Sequence, residues 1–168
     1  MRFDPEIGPE NVAVPTGAPE GFVEHAYRKT FVVDHSIGPV WAWLNDPATF
    51  VEGQVWPFGV EFVDGGFEPG VLNAHHGPFL NAAGVIGRVR GPGDEPAYRD
   101  LKYFYGSYAL SPRLARPTRL QFWAEEGGGG TVVTLRLDAL VRRPFVRVWD
   151  LGQRVFWSRF PRWMESAL

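Results

Sequence analysis

Residues 144–163, PFVRVWDLGQRVFWSRFPRW, decide the reading of this chain. Pro144 stands where a proline opens a helix, since its missing N–H has no intrahelical acceptor there. At about 100° per residue, Phe145, Trp149, Gly152, Phe156, Phe160 and Trp163 fall within one arc about 80° wide. Arg143, Arg147, Arg154 and Arg162 lie on the opposite side. The stretch predicts one helix of roughly twenty residues with an aromatic stripe, kinked or thinned where Pro161 removes a backbone bond. That stripe has to face a sheet or a ligand, and Gly152 within it leaves room rather than filling it.

Working back from the helix, the chain reads as strands and turns. Strands are expected near 60–64, 70–76, 82–90, 98–110, 118–125 and 131–141. Gly65–Gly66, Gly77–Pro78, the loop GPGDEP (91–96), the loop SPRLARP (111–117) and GGGG (127–130) separate them. Such short connections join antiparallel neighbours, because parallel strands need long crossovers. Earlier, HAYRKTFVVD within 21–35 alternates and is rich in β-branched and aromatic residues, which makes a seventh strand. Two short helices follow it. Pro39 begins the first, with Val40, Trp41, Trp43 and Leu44 as its apolar side, and the cap-then-proline pair Asp46–Pro47 begins the second, through Phe50. Residues 1–20 hold Pro5, Pro9, Pro15 and Pro19 without apolar periodicity and read as an extended or flexible arm before one domain, 21–168.

Composition narrows the function classes. A chain of 168 residues suits one domain of ordinary size. No cysteine is present, which excludes a disulfide scaffold, a thiolate metal site and a thiol nucleophile. The first residues lack the basic start and apolar block of a signal peptide, and no run of 18 apolar residues occurs, so a cytoplasmic location is expected. Thirteen Phe, seven Trp and five Tyr are more aromatic surface than so small a core usually needs. Charge is uneven along the chain: residues 1–87 carry −8 and residues 88–168 carry +6. With a pI near 6.1 and no basic run longer than two, this asymmetry points to neighbouring acidic and basic strands rather than to nucleic acid.

The order strand, two short helices, six antiparallel strands and a long last helix resembles the helix-grip fold of the SRPBCC superfamily. That superfamily includes START-like lipid-transfer domains, birch-pollen-allergen-like proteins and polyketide cyclase-like proteins. The resemblance is carried by FVVDHSIGPVWAWLNDPATF (31–50), VEFVDGGFEPG (60–70), the hairpin LQFWAEEGGGGTVVTLRLD (120–138) and the last helix. Pro39-Val40-Trp41 followed by Asn45-Asp46-Pro47 looks like the family's first-helix pattern. The resemblance implies an α+β domain in which a seven-stranded curved sheet wraps the last helix around an apolar cavity. It implies a lipid, polyketide or quinone-like ligand, with no cofactor.

Candidate site residues follow from which side chains face that cavity. Of the adjacent His75 and His76 only one can point inward, and placing Leu72 and Ala74 inside selects His76 as an acid/base or hydrogen-bonding group. Tyr103, Tyr105 and Ser107 share one face of the 98–110 strand with Arg99 and Leu101, whereas Phe104, Tyr108 and Leu110 share the other; either face could be the inner one. His76 and Tyr103 are the catalytic candidates. His76, Tyr103, Tyr105 and Phe122 from the strands, with Trp149, Phe156 and Phe160 from the last helix, are expected at the ligand. No HExxH or other histidine pair has metal-ligand spacing, and no metal is expected. The GGGG run leads into Thr131 rather than a helix, so it is a hairpin and not a phosphate cradle. No Gly-x-Ser-x-Gly elbow supports hydrolysis.

Three readings stay open on the sequence: a carrier of a small hydrophobic molecule, a cofactor-independent cyclase or dehydratase, and an interaction or membrane-surface module. Aromatics on one side of the last helix and arginines on the other also describe an interfacial helix, which leaves peripheral membrane contact open. Exposure of the stripe discriminates between them.

Overall fold

The structure is a computed structural model, and it describes residues 17–53, 57–63, 65–93, 95–104, 106–111 and 113–168. The expected arm 1–20 thus falls outside the described residues up to position 16. Strand β1 (Phe22–Val33) leads into helices α1 (Ile37–Leu44) and α2 (Pro47–Glu52). Strands β2 (Gly59–Val63), β3 (Leu72–Gly77), β4 (Leu80–Arg90), β5 (Ala97–Tyr103), β6 (Tyr108–Ala109), β7 (Ala115–Gly127) and β8 (Gly130–Arg142) follow. A 3-10 turn (Arg143–Phe145) then enters α3 (Val146–Ser158) and α4 (Phe160–Ala167). The strands form one antiparallel sheet in the order β1-β8-β7-β5-β4-β3-β2, with the short β6 bridging β4 and β7. This is the expected α+β helix-grip arrangement. Strand β1, which carries Glu24, Arg28 and Lys29 and so is not acidic, pairs along its whole length with β8, and the expected match of an acidic with a basic strand is not found in this pair.

Local signals explain most boundaries. Pro39 is the third residue of α1, where an N–H would be unpaired anyway. Asp46 caps α2 by accepting from the Ala48 N–H at 2.9 Å, with Pro47 as its first residue. Gly128 and Gly129 both have positive φ, 66° and 86°, as a two-residue hairpin between twisted strands requires.

Two expectations are corrected here. The strand expected over 98–110 is two strands. After Tyr103 the chain turns through Gly106, φ 97°, and the Ser107 hydroxyl both accepts from the Ala83 N–H and donates to the Ala83 carbonyl. Ser107 therefore secures a turn and does not extend the face of Tyr103; Tyr105 lies outside the described residues. The sheet consequently has eight strands among the described residues rather than seven.

The long last helix breaks next to Pro161, where a kink or thinning is expected. Pro161 has no N–H for the Trp157 carbonyl four residues back, and α3 ends at Ser158. The freed carbonyl accepts instead from Lys29 Nζ of β1 at 2.8 Å, so the break is pinned to the sheet. Partial burial holds the Lys29 amine below its ordinary pKa.

On the outer face, a polar network fixes the middle of the sheet. β4 bulges between Ile86 and Val89, and the buried Asp100 of β5 fills that irregularity. Its carboxylate accepts from the Arg88 N–H at 2.6 Å and from Arg119 at 2.6 and 2.9 Å. Arg119 and Gln121 both donate to the Tyr98 hydroxyl. Gly87 is required there, since a Cβ would stand 2.1 Å from Asp100 Oδ1. Removing one partner of a buried pair costs more than an exposed pair gains, although here Arg119 retains some solvent access. Asp100→Ala should lower stability by about 2 kcal/mol, read as a lower urea midpoint at unchanged m-value. A midpoint equal to that of the wild type would show the network to be idle.

Candidate functional site

The ladder pairs assign an inner face to every strand. Across β4, β5, β7, β8 and β1 one row runs Ile86, Leu101, Leu120, Leu137, Tyr27. The neighbouring row contains Arg99, Phe122, Leu135 and Lys29. On the other side, Tyr103 pairs with Gly84, Gly84 with Asn73, and His75 with Ala82. Arg99, Leu101 and Tyr103 therefore point inward together, which settles the face of β5.

Two apolar clusters divide the interior. The first joins Val40, Trp43 and Leu44 of α1 to Trp157, Phe160 and Met164, over Phe122, Val133 and Leu135. Phe160 meets Trp43, Trp157 and Trp163 edge to face at 5.6, 5.3 and 5.6 Å, and lies 5.8 Å from Phe122 with the two rings tilted by 34°. Phe122 and Phe160, both expected at a ligand, are thus occupied with one another and with their neighbours. The second cluster gathers Ile86, Leu101, Tyr103, Leu137, Val141 and Trp149. Leu120 touches both.

Polar groups collect beside the second cluster. Arg99 is 4% exposed, and its guanidinium stacks 3.8 Å from the Phe67 ring centre and 5.0 Å from that of Phe122. Its only acceptor among the described residues is the Leu44 carbonyl at 2.6 Å, and no described carboxylate pairs with it. Asp100, next in sequence, is on the opposite face and bound to Arg119. Burial pushes the Arg99 pKa down to about 9, partly offset by Tyr103, so the group stays charged at neutral pH. Burial likewise raises the Tyr103 phenol, with Arg99 opposing, and keeps it a neutral O–H donor. The His75 ring lies 5.9 Å from that of Tyr103, and burial, then His76 and Arg99, lower its pKa to about 4. His75 Nε2, Asn73 Oδ1 and Trp149 Nε1 are buried without a hydrogen-bond partner among the described residues. Native interiors rarely leave such groups unpaired.

The expected site residues separate on this face. His76 is not the inward histidine: its side chain is 53% exposed, 3.9 Å from Glu61, and the inward one is His75. Placing the apolar Leu72 and Ala74 inside fails because β3 turns its polar set, Asn73 and His75, toward the interior. Tyr103 and Trp149 come together in the second cluster. Phe156 is 57% exposed, and Phe145 and Gly152 also face outward. The inner line of the helices is Trp149, Trp157, Phe160 and Met164. Apolar residues cover more than half of the circumference of α3, so periodicity alone cannot centre the buried stripe. Arg99 and Asn73 are the residues that the sequence reading leaves out of the site; the adjacent Arg99–Asp100 charges inside an apolar run were the available signal.

Solved structures with this arrangement are known. Norcoclaurine synthase from Thalictrum flavum, in complex with dopamine and hydroxybenzaldehyde, superposes with a TM-score of 0.61 at 13% identity, over 92% of this chain and 94% of that one. A Staphylococcus aureus protein of unknown function gives 0.58 at 10% identity, over 87% and 96%. Ara h 8.0201 gives 0.51 at 14% identity, over 86% and 97%. The fold is the helix-grip fold of the birch-pollen-allergen type. At these identities the likeness concerns the helix-grip fold alone, and neither a protein-family model nor a curated protein sequence matches the chain.

A neutral buried His75 makes stability depend on pH. Between its folded value of about 4 and the ordinary 6.5, the unfolded chain binds the extra proton. Stability present above pH 6.5 is therefore lost as pH falls toward 4, by on the order of 3 kcal/mol from this group. Denaturation midpoints across that window should flatten in His75→Phe and keep the wild-type slope in His76→Gln. Identical slopes in wild type and His75→Phe would refute the inward placement.

Proposed function

We propose that the space between α3 and the inner face of the sheet takes up a small hydrophobic molecule. Leu120 carries this reading. It points inward from β7, at the centre of the sheet, between the buried Leu101 and Leu137, yet it keeps solvent-accessible surface. A central inward leucine in a filled core would be fully covered. α3 packs chiefly on β1 and β8, and the polar groups of Asn73, His75, Arg99 and Tyr103 face the interior from β3 and β5. An apolar wall with a few convergent polar groups is the usual make-up of a small-molecule site. The Thalictrum synthase, similar in fold, is in complex with dopamine and hydroxybenzaldehyde, which supports a small-molecule reading for this chain.

Binding fits these residues better than cyclase-type acid–base chemistry. A histidine held neutral down to about pH 4 is a weak base at neutral pH, and Tyr103 is held as the phenol. Both serve as hydrogen-bonding groups. The neutral dye N-phenyl-1-naphthylamine should bind the purified protein with micromolar affinity, and Leu120→Trp, which fills the space, should weaken it at least tenfold without loss of fold. Unchanged dye affinity in a folded Leu120→Trp would place the dye elsewhere and remove the support for this reading.

One further observation favours a membrane-surface role alongside binding. Val148, Leu151, Val155 and Phe156 on α3 are 56%, 62%, 55% and 57% exposed, and Arg143, Arg147, Arg159 and Arg162 are exposed around them. Exposed apolar residues edged by arginines suit the surface of an anionic bilayer. No described helix is long and apolar enough to cross one. Co-sedimentation with phosphatidylserine vesicles should exceed that with phosphatidylcholine vesicles and fall at least tenfold in Leu151→Asp/Val155→Asp. Equal pelleting of this double variant would rule the surface out.

A further inference from the structure

We propose that the ligand carries a carboxylate and that Arg99 is its anchor. The inference rests on the ligand-binding reading above and adds the charge of what is bound.

Arg99 is a permanent cation inside the fold, 4% exposed. Buried ions are ordinarily paired, because their lost hydration costs several kcal/mol unless an opposite charge replaces it. The nearest carboxylate in sequence, Asp100, is separated from Arg99 by the plane of the sheet and is held by Arg119 and the Arg88 N–H. What Arg99 has is partial compensation. The Leu44 carbonyl ends α1, where the helix dipole places a fraction of a negative charge, and the Phe67 face adds a cation–π contact. Neither supplies a full counter-charge.

The surroundings match an oxyanion. The two titratable groups whose fields are seen to interact with Arg99, Tyr103 and His75, are both neutral at neutral pH, so among the described residues no negative charge competes for it. Tyr103 presents an O–H from the same face of the same strand, four residues on. Trp149 presents a buried N–H without a partner among the described residues, in the cluster that contains Tyr103. A planar guanidinium held against a ring is pre-organised for the two oxygens of a carboxylate, and water is largely excluded there. An apolar tail would then lie along Leu101, Leu120 and Leu137.

Displacement of N-phenyl-1-naphthylamine by decanoate, 1-decanol and methyl decanoate at pH 7.5 tests the proposal. Decanoate is expected to displace the dye at a concentration at least tenfold lower than either uncharged analogue. Arg99→Gln should bring the three within about threefold of one another while the dye itself still binds. Equal displacement by acid and alcohol in the wild type, or a tenfold acid preference surviving in Arg99→Gln, would overturn the inference and leave the ligand-binding reading standing. Failure of the wild type to bind the dye or any of the three compounds overturns both. Should Arg99→Gln not fold, Arg99→Lys takes its place: a point charge without the planar fork is expected to reduce the acid preference severalfold, and an undiminished preference counts against the anchor.

Discussion

Successive side chains of a strand point to opposite faces of its sheet, and on β5 that rule separates Arg99 from the carboxylate beside it. Asp100 faces outward, locks the β4 bulge and binds Arg119. Arg99 faces inward, where aromatic faces and one carbonyl are all that meet it among the described residues. One adjacent pair of opposite charges thus becomes two separate functions, an outer staple and an inner cation. Among the described residues Arg99 is therefore met by partial charges and ring faces and not by a carboxylate, which is unusual for a buried cation. Stability and function are commonly in tension at such positions.

The aromatic surplus has a divided use. Trp43, Phe122, Trp157, Phe160 and Trp163 form a ring-packed block that joins α1, the sheet and the helix break, and this block is structural. Pro161 and Lys29 hold the break in place, so that α4 can turn its Phe160 and Met164 into the same block. The other end of the interior is lined by smaller apolar residues and polar groups, and it is there that Leu120 remains accessible. The exposed flank of α3 accounts for Val148, Leu151, Val155 and Phe156, which are more than half exposed. Core, site and surface therefore draw on one helix.

Much of the architecture was legible because local chemistry enforces it. Asp46–Pro47 caps a helix wherever it occurs before a helical run, and Gly128–Gly129 suits a tight hairpin in any sheet. The site was legible only in part. The sequence leaves the inner face of the 98–110 strand open, and it selects His76 over His75 only on the assumption that apolar neighbours mark the inner face. That assumption holds for a sealed core and fails where the inner face is itself polar. Helical periodicity puts Phe156 in the aromatic arc expected at the ligand, but the helix offers more apolar residues than the sheet can cover.

By itself the sequence determined most element types, their order and the antiparallel pairing implied by short connections, an order whose resemblance to a known family implied the helix-grip arrangement. These follow from turn chemistry, capping and periodicity, which act within a few residues. Only the tertiary structure decided which histidine turns inward, where the fifth strand stops, which side of α3 the sheet grips, and that no described carboxylate meets Arg99. Each of those depends on which distant residues are brought alongside, and a local pattern of alternating side chains carries no information about what stands across from it.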